Sequence, residues 1–208
     1  YDAEIDFIKA YKVGHLALIN LLDLKIIKKK LKKIIFLSTA QVYKDYSFKK
    51  INLKSEISPK TAYSLSHIQS ENYLQYFSKK NKIKATCLRI SNGYGDPIIN
   101  KTNCWSIVAN SFCLEAYRKK SITINANPYD YRNFIYVRDI SKEIILKIKE
   151  NQKEYFKIKN IGSNQDWSIK DLANTIKETM KKLYNVNIDI IYKNKKNQKR
   201  KIFKYKNN

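Results

Sequence analysis

Two short apolar runs joined by one long helical stretch set the tightest limit on what this chain can fold into. The runs are Lys33–Thr39 (KIIFLST) and residues 83–90 (IKATCLRI), each of strand length and too short for an ordinary helix. Near-continuous apolar runs of this kind suit parallel strands buried on both faces. Parallel neighbours need a long crossover, and residues 61–80 supply one, with Pro59 just ahead of a helical pattern. The alternation continues. Residues 6–30 place Ile8, Tyr11, Leu18, Leu22 and Ile26 at helical spacing. Residues 91–102 hold Gly93, Gly95 and Pro97 and read as a loop, and 103–120 as a helix. Short strands follow near Ile122 and at 133–137, then a helix at 139–150 and a strand at 156–161 that ends at Gly162. A last helix, 168–183, opens on Ser168 with Asp171 at its third position, a variant capping box, and a strand at 186–192 follows. The expected class is α/β with a parallel sheet, and the later short strands form a small lobe packed on it. Residues 193–208, nearly all Lys and Asn, read as a frayed or incomplete tail.

The net charge of +24 invites a nucleic-acid reading, but only five of the 42 basic residues are Arg: Arg89, Arg118, Arg132, Arg138 and Arg200. Specific nucleic-acid contacts favour the Arg fork. A chain this rich in Lys, Asn and Ile instead looks like a coding bias toward A and T, with lysine as a solvated coat. No specific nucleic-acid partner is expected. No apolar stretch approaches the roughly 18 residues of a membrane span, so no membrane partner is expected either. The acidic, amphipathic opening (YDAEIDF) is unlike a signal peptide, and with no initiator Met a start further upstream is expected. Cys87, Cys104 and Cys113 form no CxxC pair and accompany only two histidines, so no metal site is expected. Unpaired cysteines suit a reducing cytoplasm.

Chemistry concentrates in a few segments: Ser38-Thr39-Ala40-Gln41-Val42-Tyr43, Tyr63-Ser64-Leu65-Ser66-His67, Leu88 to Gly95 (LRISNGYG), Tyr131 to Val137 (YRNFIYV) and Asn160-Ile161-Gly162-Ser163. Each alone is weak: a strand-end hydroxyl is usually a cap, a helical Tyr usually core, an Asn-Gly usually a turn. Their order carries the weight. Thr39 ends the first strand, where ligands bind in open α/β sheets. Tyr63 and His67 are four residues apart on the next helix, so both side chains can point at one spot. A hydroxyl, a phenol and an imidazole there suit proton transfer to or from an alcohol. Tyrosine ordinarily ionises near pH 10, so the phenol needs a nearby positive charge to act at neutrality.

The set resembles the extended short-chain dehydrogenase/reductases, the NAD-dependent nucleotide-sugar epimerase/dehydratase family. Their motifs run as Ser/Thr before VYG, a YxxxK helix, LRxxNxYG, RDFIxV and a late NIGSG, and the resemblance spans about residues 6–192. It implies NAD or NADP as cofactor and a nucleotide sugar as substrate. It implies Thr39, Tyr63 and His67 as catalytic residues, with Ser38, Tyr63 and His67 toward the cofactor and Thr39, Asn92 and Arg132 toward the substrate. Tyr63 takes the acid/base position. His67 stands where the family has the Lys that holds the nicotinamide ribose, although some relatives carry His. Asn92 and Arg132 match residues that contact the substrate diphosphate. Arg89 reads as structural.

Departures shape the remaining expectations. Lys44 replaces the Gly after Val-Tyr, and Asn133 replaces the Asp after Arg132. Ala40 and Gln41 fall where 4,6-dehydratases carry an Asp-Glu pair, which disfavours water elimination. Glycine occurs only at 14, 93, 95 and 162, so no GxxGxxG phosphate cradle is present. The expected fold is therefore the later half of a Rossmann-like doubly wound parallel sheet plus a small substrate-binding lobe. Residues 1–192 form a partial domain that lacks the first nucleotide-binding βαβ units. The expected activity, in an intact parent enzyme, is oxidoreduction or epimerisation of a nucleotide sugar in the cytoplasm, for surface polysaccharide. The isolated chain is expected to be inactive and to bind NAD(P) only weakly. The alternatives are a non-enzymatic fragment or degenerate paralogue, and one half of a split enzyme partnered by a missing amino-terminal half. A homodimer through the 9–30 and 61–80 helices is also expected.

Overall fold

The computed structural model describes residues 6–24, 30–44, 50–99, 102–193 and 204–205. Three strands form the central sheet: β1 (Lys33–Thr39), β3 (Lys84–Ile90) and β7 (Phe156–Ile161), parallel and in the order β1-β3-β7. Between β1 and β3 lie a 3-10 turn (Ala40–Val42), the short β2 (Lys50–Ile51) and α3 (Ala62–Asn81). The register sets Ser38 beside Arg89 and Arg89 beside Asn160, so three polar side chains lie in one row across the strands.

Alternation along β1 explains why both faces of the sheet are covered. Ile34 and Phe36 pack with Leu74, Phe77, Ile83 and Cys87 beneath the helices, while Ile35 joins Leu88, Ile135, Ile161 and Ile140 on the other side. The first face takes α3 and the opening helical run, made of α1 (Phe7–Ala10), a π-helical turn (Tyr11–Leu16) and α2 (Ala17–Asp23). A Cβ on Gly14 would sit 2.7 Å from Ser66 Oγ, so the missing side chain lets this run lie against α3. The second face takes α5 (Val137–Lys149). Lys33 closes its end, its ammonium donating to the carbonyls of Lys147 at 2.9 Å, Ile148 at 3.0 Å and Glu150 at 2.5 Å.

A second core lies outside this sheet. Strand β5 (Ser121–Ile124) pairs in parallel with β9 (Asp189–Tyr192), covered by α4 (Val108–Lys119) and α6 (Ile169–Tyr184). Ala109, Phe112, Ala116, Ile122, Ile169, Ala173 and Ile188 fill it. Joining the two cores is a small sheet, β4 (Asn92–Tyr94), β6 (Tyr131–Tyr136) and β8 (Asp166–Ser168), in the order β4-β6-β8. Ser168 caps α6 and Asp171 completes the capping box, as the sequence indicates.

The α/β class with its parallel sheet stands. The local differences have physical causes. Helix 103–120 starts only at Val108, after two turns hold residues 102–107. The first helix ends at Asp23, and residues 25–29 of the expected stretch lie outside the described residues. β4 forms inside the expected 91–102 loop because Asn92–Tyr94 pair with Phe134–Tyr136, a long-range pairing with no local signature. Of the tail, 194–203 and 206–208 lie outside the described residues, and β10 (Lys204–Tyr205) pairs with β2.

Candidate active site

The carboxyl end of β1 and the first two turns of α3 build the site. Thr39 ends the strand in extended backbone, and its hydroxyl oxygen accepts from the Gln41 amide at 3.2 Å, which starts the 3-10 turn. Thr61 caps α3 and forms a capping box with Ser64. This cap, two residues before Tyr63, fixes the helix start at Ala62, so the phenol is held on the first turn opposite Thr39. The Thr39 hydroxyl faces the Tyr63 phenol closely enough to favour its ionisation. His67 follows one turn later with its ring centroid 4.4 Å from that of Tyr63, edge to face, and 5.6 Å from that of Phe36. Its Nδ1 is buried and has no hydrogen-bond partner among the described residues. The structure thus brings Thr39, Tyr63 and His67 together.

The charge state is set against easy ionisation. Burial pushes the Tyr63 phenol above its ordinary value, and the Thr39 hydroxyl offsets only part of this. Burial pulls His67 below 6.5, and the Glu71 carboxylate offsets part of that. A neutral phenol beside a neutral imidazole is the resting arrangement near neutral pH.

Ser38 faces a different set of groups. Its hydroxyl donates to Glu71 Oε1 at 2.5 Å. Glu71 also receives Arg89 through Nε at 3.0 Å and the guanidinium NH2 group at 2.6 Å, and both side chains are at most 5% exposed. The Arg89 guanidinium lies 4.8 Å from the Tyr43 ring centroid, and the Tyr43 hydroxyl donates to Asn160 Oδ1 at 2.8 Å. Burial alone would lower the Arg89 pKa, but hydrogen bonding and charge from Glu71 outweigh it and raise it. Arg89 is structural, as the sequence indicates. Glu71 is the residue that sequence reasoning missed. Its signal was present: a lone carboxylate four residues after His67 on the same helix face, matched by a lone Arg inside an apolar strand.

Asn92 and Arg132 sit in the β4-β6-β8 sheet rather than beside Thr39. Asn92 Nδ2 donates to the Asn133 carbonyl at 2.9 Å, and Arg132 lies opposite Trp167. Asn133 is wholly buried and explains its own departure from Asp. Its Oδ1 accepts from Ser91 Oγ and the Ser163 amide, while its Nδ2 donates to the Ser163 carbonyl and Asp166 Oδ1. A carboxylate could not make the two donations. Among the described residues, no group of three His, Cys, Asp or Glu could hold a metal, and no helix is long and apolar enough to cross a membrane.

Both histidines carry a consequence for stability. His15, whose Nδ1 lies 3.2 Å from Ser70 Oγ, is also held below 6.5 by burial. A depressed imidazole favours folding fully above the unfolded value, and that contribution is lost as pH falls through 6.5 toward the folded-state values. Glu150, held down to about 2 by Lys147 and Lys157, keeps its contribution throughout this range and loses it only as pH falls from 4.5 toward 2. The melting temperature should therefore fall as pH drops from 7.5 to 5, and less steeply in His67→Phe. A flat profile across that range would contradict the buried, neutral imidazoles.

The sequence pattern of the NAD dependent epimerase/dehydratase family matches residues 2–162. The chain is 28% identical over 178 residues to the putative UDP-glucose 4-epimerase of Methanocaldococcus jannaschii, covering 85% of this chain and 53% of that protein. It is 28% identical over 153 residues to the dTDP-4-dehydro-6-deoxyglucose reductase of Escherichia coli, covering 72% of this chain and 46% of that one. It thus spans about half the length of these curated relatives. Its fold matches the UDP-N-acetylglucosamine 4-epimerase of Methanobrevibacter ruminantium with a TM-score of 0.78 at 20% identity, over 98% of this chain and 62% of that one.

Proposed function

The chain belongs to the NAD dependent epimerase/dehydratase family, and from that membership we propose that it supplies the proton-transfer and sugar-holding residues of an NAD(P)-dependent nucleotide-sugar epimerase or reductase. The observation that carries this reading is the Tyr63 phenol facing the Thr39 hydroxyl, with the His67 ring edge-on to it at 4.4 Å.

In this reading Thr39 orients the reacting sugar hydroxyl and Tyr63, as phenolate, accepts its proton. NAD(P), when bound, would supply the hydride acceptor and donor at the carbon that bears this hydroxyl. Tyr63 would give the proton back as the alcohol is re-formed, with inversion in an epimerase, or would donate it to the oxygen of a ketone substrate in a reductase. His67 would favour the phenolate when it carries a proton and, in this reading, would hold the nicotinamide ribose. The reactive end of the cofactor thus fits the residues present. Its pyrophosphate end has no glycine-rich turn among these 208 residues. Ser38, expected toward the cofactor, is instead 4% exposed with its hydroxyl on Glu71, and Asn92 and Arg132 would hold the substrate diphosphate, the latter as a bidentate fork. Such substrates place the reaction in the cytoplasm.

Under a second reading, residues 1–192 act as the substrate-side part of a larger unit whose dinucleotide-binding residues lie outside this sequence. A homodimer through α3 and the opening helical run is compatible with either reading.

The test supplies the chain with a family dinucleotide-binding half and offers UDP- and dTDP-hexoses. The sugar product is followed by NMR and the cofactor by absorbance. Inversion at one carbon, or ketone reduction with matched loss of NAD(P)H, is the expected result. No turnover of any sugar while cofactor is bound would overturn the reading.

A further inference from the structure

We propose that Glu71 is a positioning residue of this site, acting on Thr39 through Ser38 and on His67 across one turn of α3. The assignment rests on the proton-transfer reading of Tyr63 and His67 above. Three observations lead to it.

The first is where Glu71 ties the fold. Its carboxylate accepts from Ser38 Oγ at 2.5 Å, from Arg89 Nε at 3.0 Å and from the Arg89 NH2 group at 2.6 Å. One side chain of the helix that bears Tyr63 and His67 therefore clasps both β1 and β3. Ser38 precedes Thr39 directly, so holding Ser38 holds the peptide that presents the Thr39 hydroxyl. The distance between β1's end and the phenol is set at this clasp.

The second is its position on the helix. Glu71 is four residues after His67 and eight after Tyr63, so the three lie along one face of α3. His67 meets the Tyr63 phenol and Glu71 from its own helix and the Phe36 ring from β1; Thr39 reaches it only through Tyr63. The Cys87 thiol and the Arg89 guanidinium, both from β3, lie beside Glu71. Among the described residues, Glu71 is the carboxylate that acts on His67. Its negative charge favours the imidazolium, the form needed to stabilise a Tyr63 phenolate.

The third is the cost of keeping it. Glu71 is 2% exposed, and a buried ion pair is often no more stabilising than an apolar pair of similar volume. A purely structural clasp between α3 and the sheet has cheaper solutions. A charge retained next to a buried, unpartnered imidazole has a use that an apolar pair lacks.

The test is an NMR titration of the imidazole ring protons in the full chain, free of substrate and cofactor. The chain has only two histidines, His15 and His67, so assignment is direct. Two variants are compared with wild type. Glu71→Gln removes the charge and keeps the shape. The double variant Glu71→Leu/Arg89→Met replaces the pair with apolar groups and leaves no uncompensated guanidinium. The expected result is a lower midpoint for His67 in a folded variant, with His15 remaining distinct from it. An unchanged His67 midpoint in a folded variant overturns the proposal. Loss of structure in both variants, seen as both histidines converging on the free-imidazole midpoint, also overturns it, because the pair is then a structural clasp and nothing more. The titration needs no turnover. A lowered midpoint in a chain that never shows sugar activity would sustain the Glu71 assignment and reject the proposed reaction.

Discussion

Replacing Tyr63 by Phe should lower kcat by about 10²–10⁴-fold in the completed enzyme while leaving the fold in place. The substitution deletes one oxygen and keeps the ring that meets His67 edge-on at 4.4 Å. Thr39, facing the hydroxyl, still accepts from the Gln41 amide, so the loss of stability should be only about 1 kcal/mol. No other group in the cluster can replace the phenol. Thr39 does not ionise in the neutral range, and His67 meets the Tyr63 ring edge-on rather than bonding to Thr39. The pH–rate profile of the wild type should rise through an apparent value below that of the free-enzyme phenol, since burial raises Tyr63 in the resting site and a cation must reverse that. The check is steady-state kinetics beside a melting curve. A variant that keeps more than about a tenth of wild-type kcat would remove Tyr63 from the chemistry.

Arg89→Ala should cost about 3–5 kcal/mol of folding stability, a large part of the roughly 5–15 kcal/mol a domain of this kind has. The guanidinium makes charge-assisted hydrogen bonds to Glu71 through both Nε and its NH2 group and lies on the Tyr43 ring. Its removal leaves a carboxylate that is 2% exposed with Ser38 as its remaining donor. The exposed pair Lys44–Glu56, at 2.9 Å with both side chains about 60% exposed, is the internal contrast. Lys44→Ala should change stability by no more than about 1 kcal/mol, because water already screens that pair. Urea unfolding of both variants measures the difference. Equal effects from the two substitutions would mean that the Glu71–Arg89 pair is hydrated in solution.

The order of elements along the chain was legible because each depends on neighbours within a few residues. KIIFLST and the run at 83–90 show strand length and continuous apolarity. The helix at Ala62–Asn81 and the Ser168–Asp171 capping box are read from spacings of three and four. The same local rule put Tyr63 and His67 on one face, and the order of motifs pointed to Thr39 as their partner. What stayed hidden depends on pairing across long stretches of chain. Nothing near Asn92 signals that it pairs with Phe134. Nothing near Asn133 signals that its amide will hold Ser91, Ser163 and Asp166 together. Lys33 reads as one more solvated lysine, yet it closes a helix end more than a hundred residues away. Charge state was the furthest out of reach. Tyr63 and His67 carry ordinary side chains, and only their burial against Phe36 and Thr39, with Glu71 one turn away, decides which of them ionises. Sequence alone determined which residues could do the chemistry, because residue type and local periodicity are written in it directly. The tertiary structure decided how they are charged and held, because desolvation and hydrogen bonding belong to neighbours brought together from distant parts of the chain.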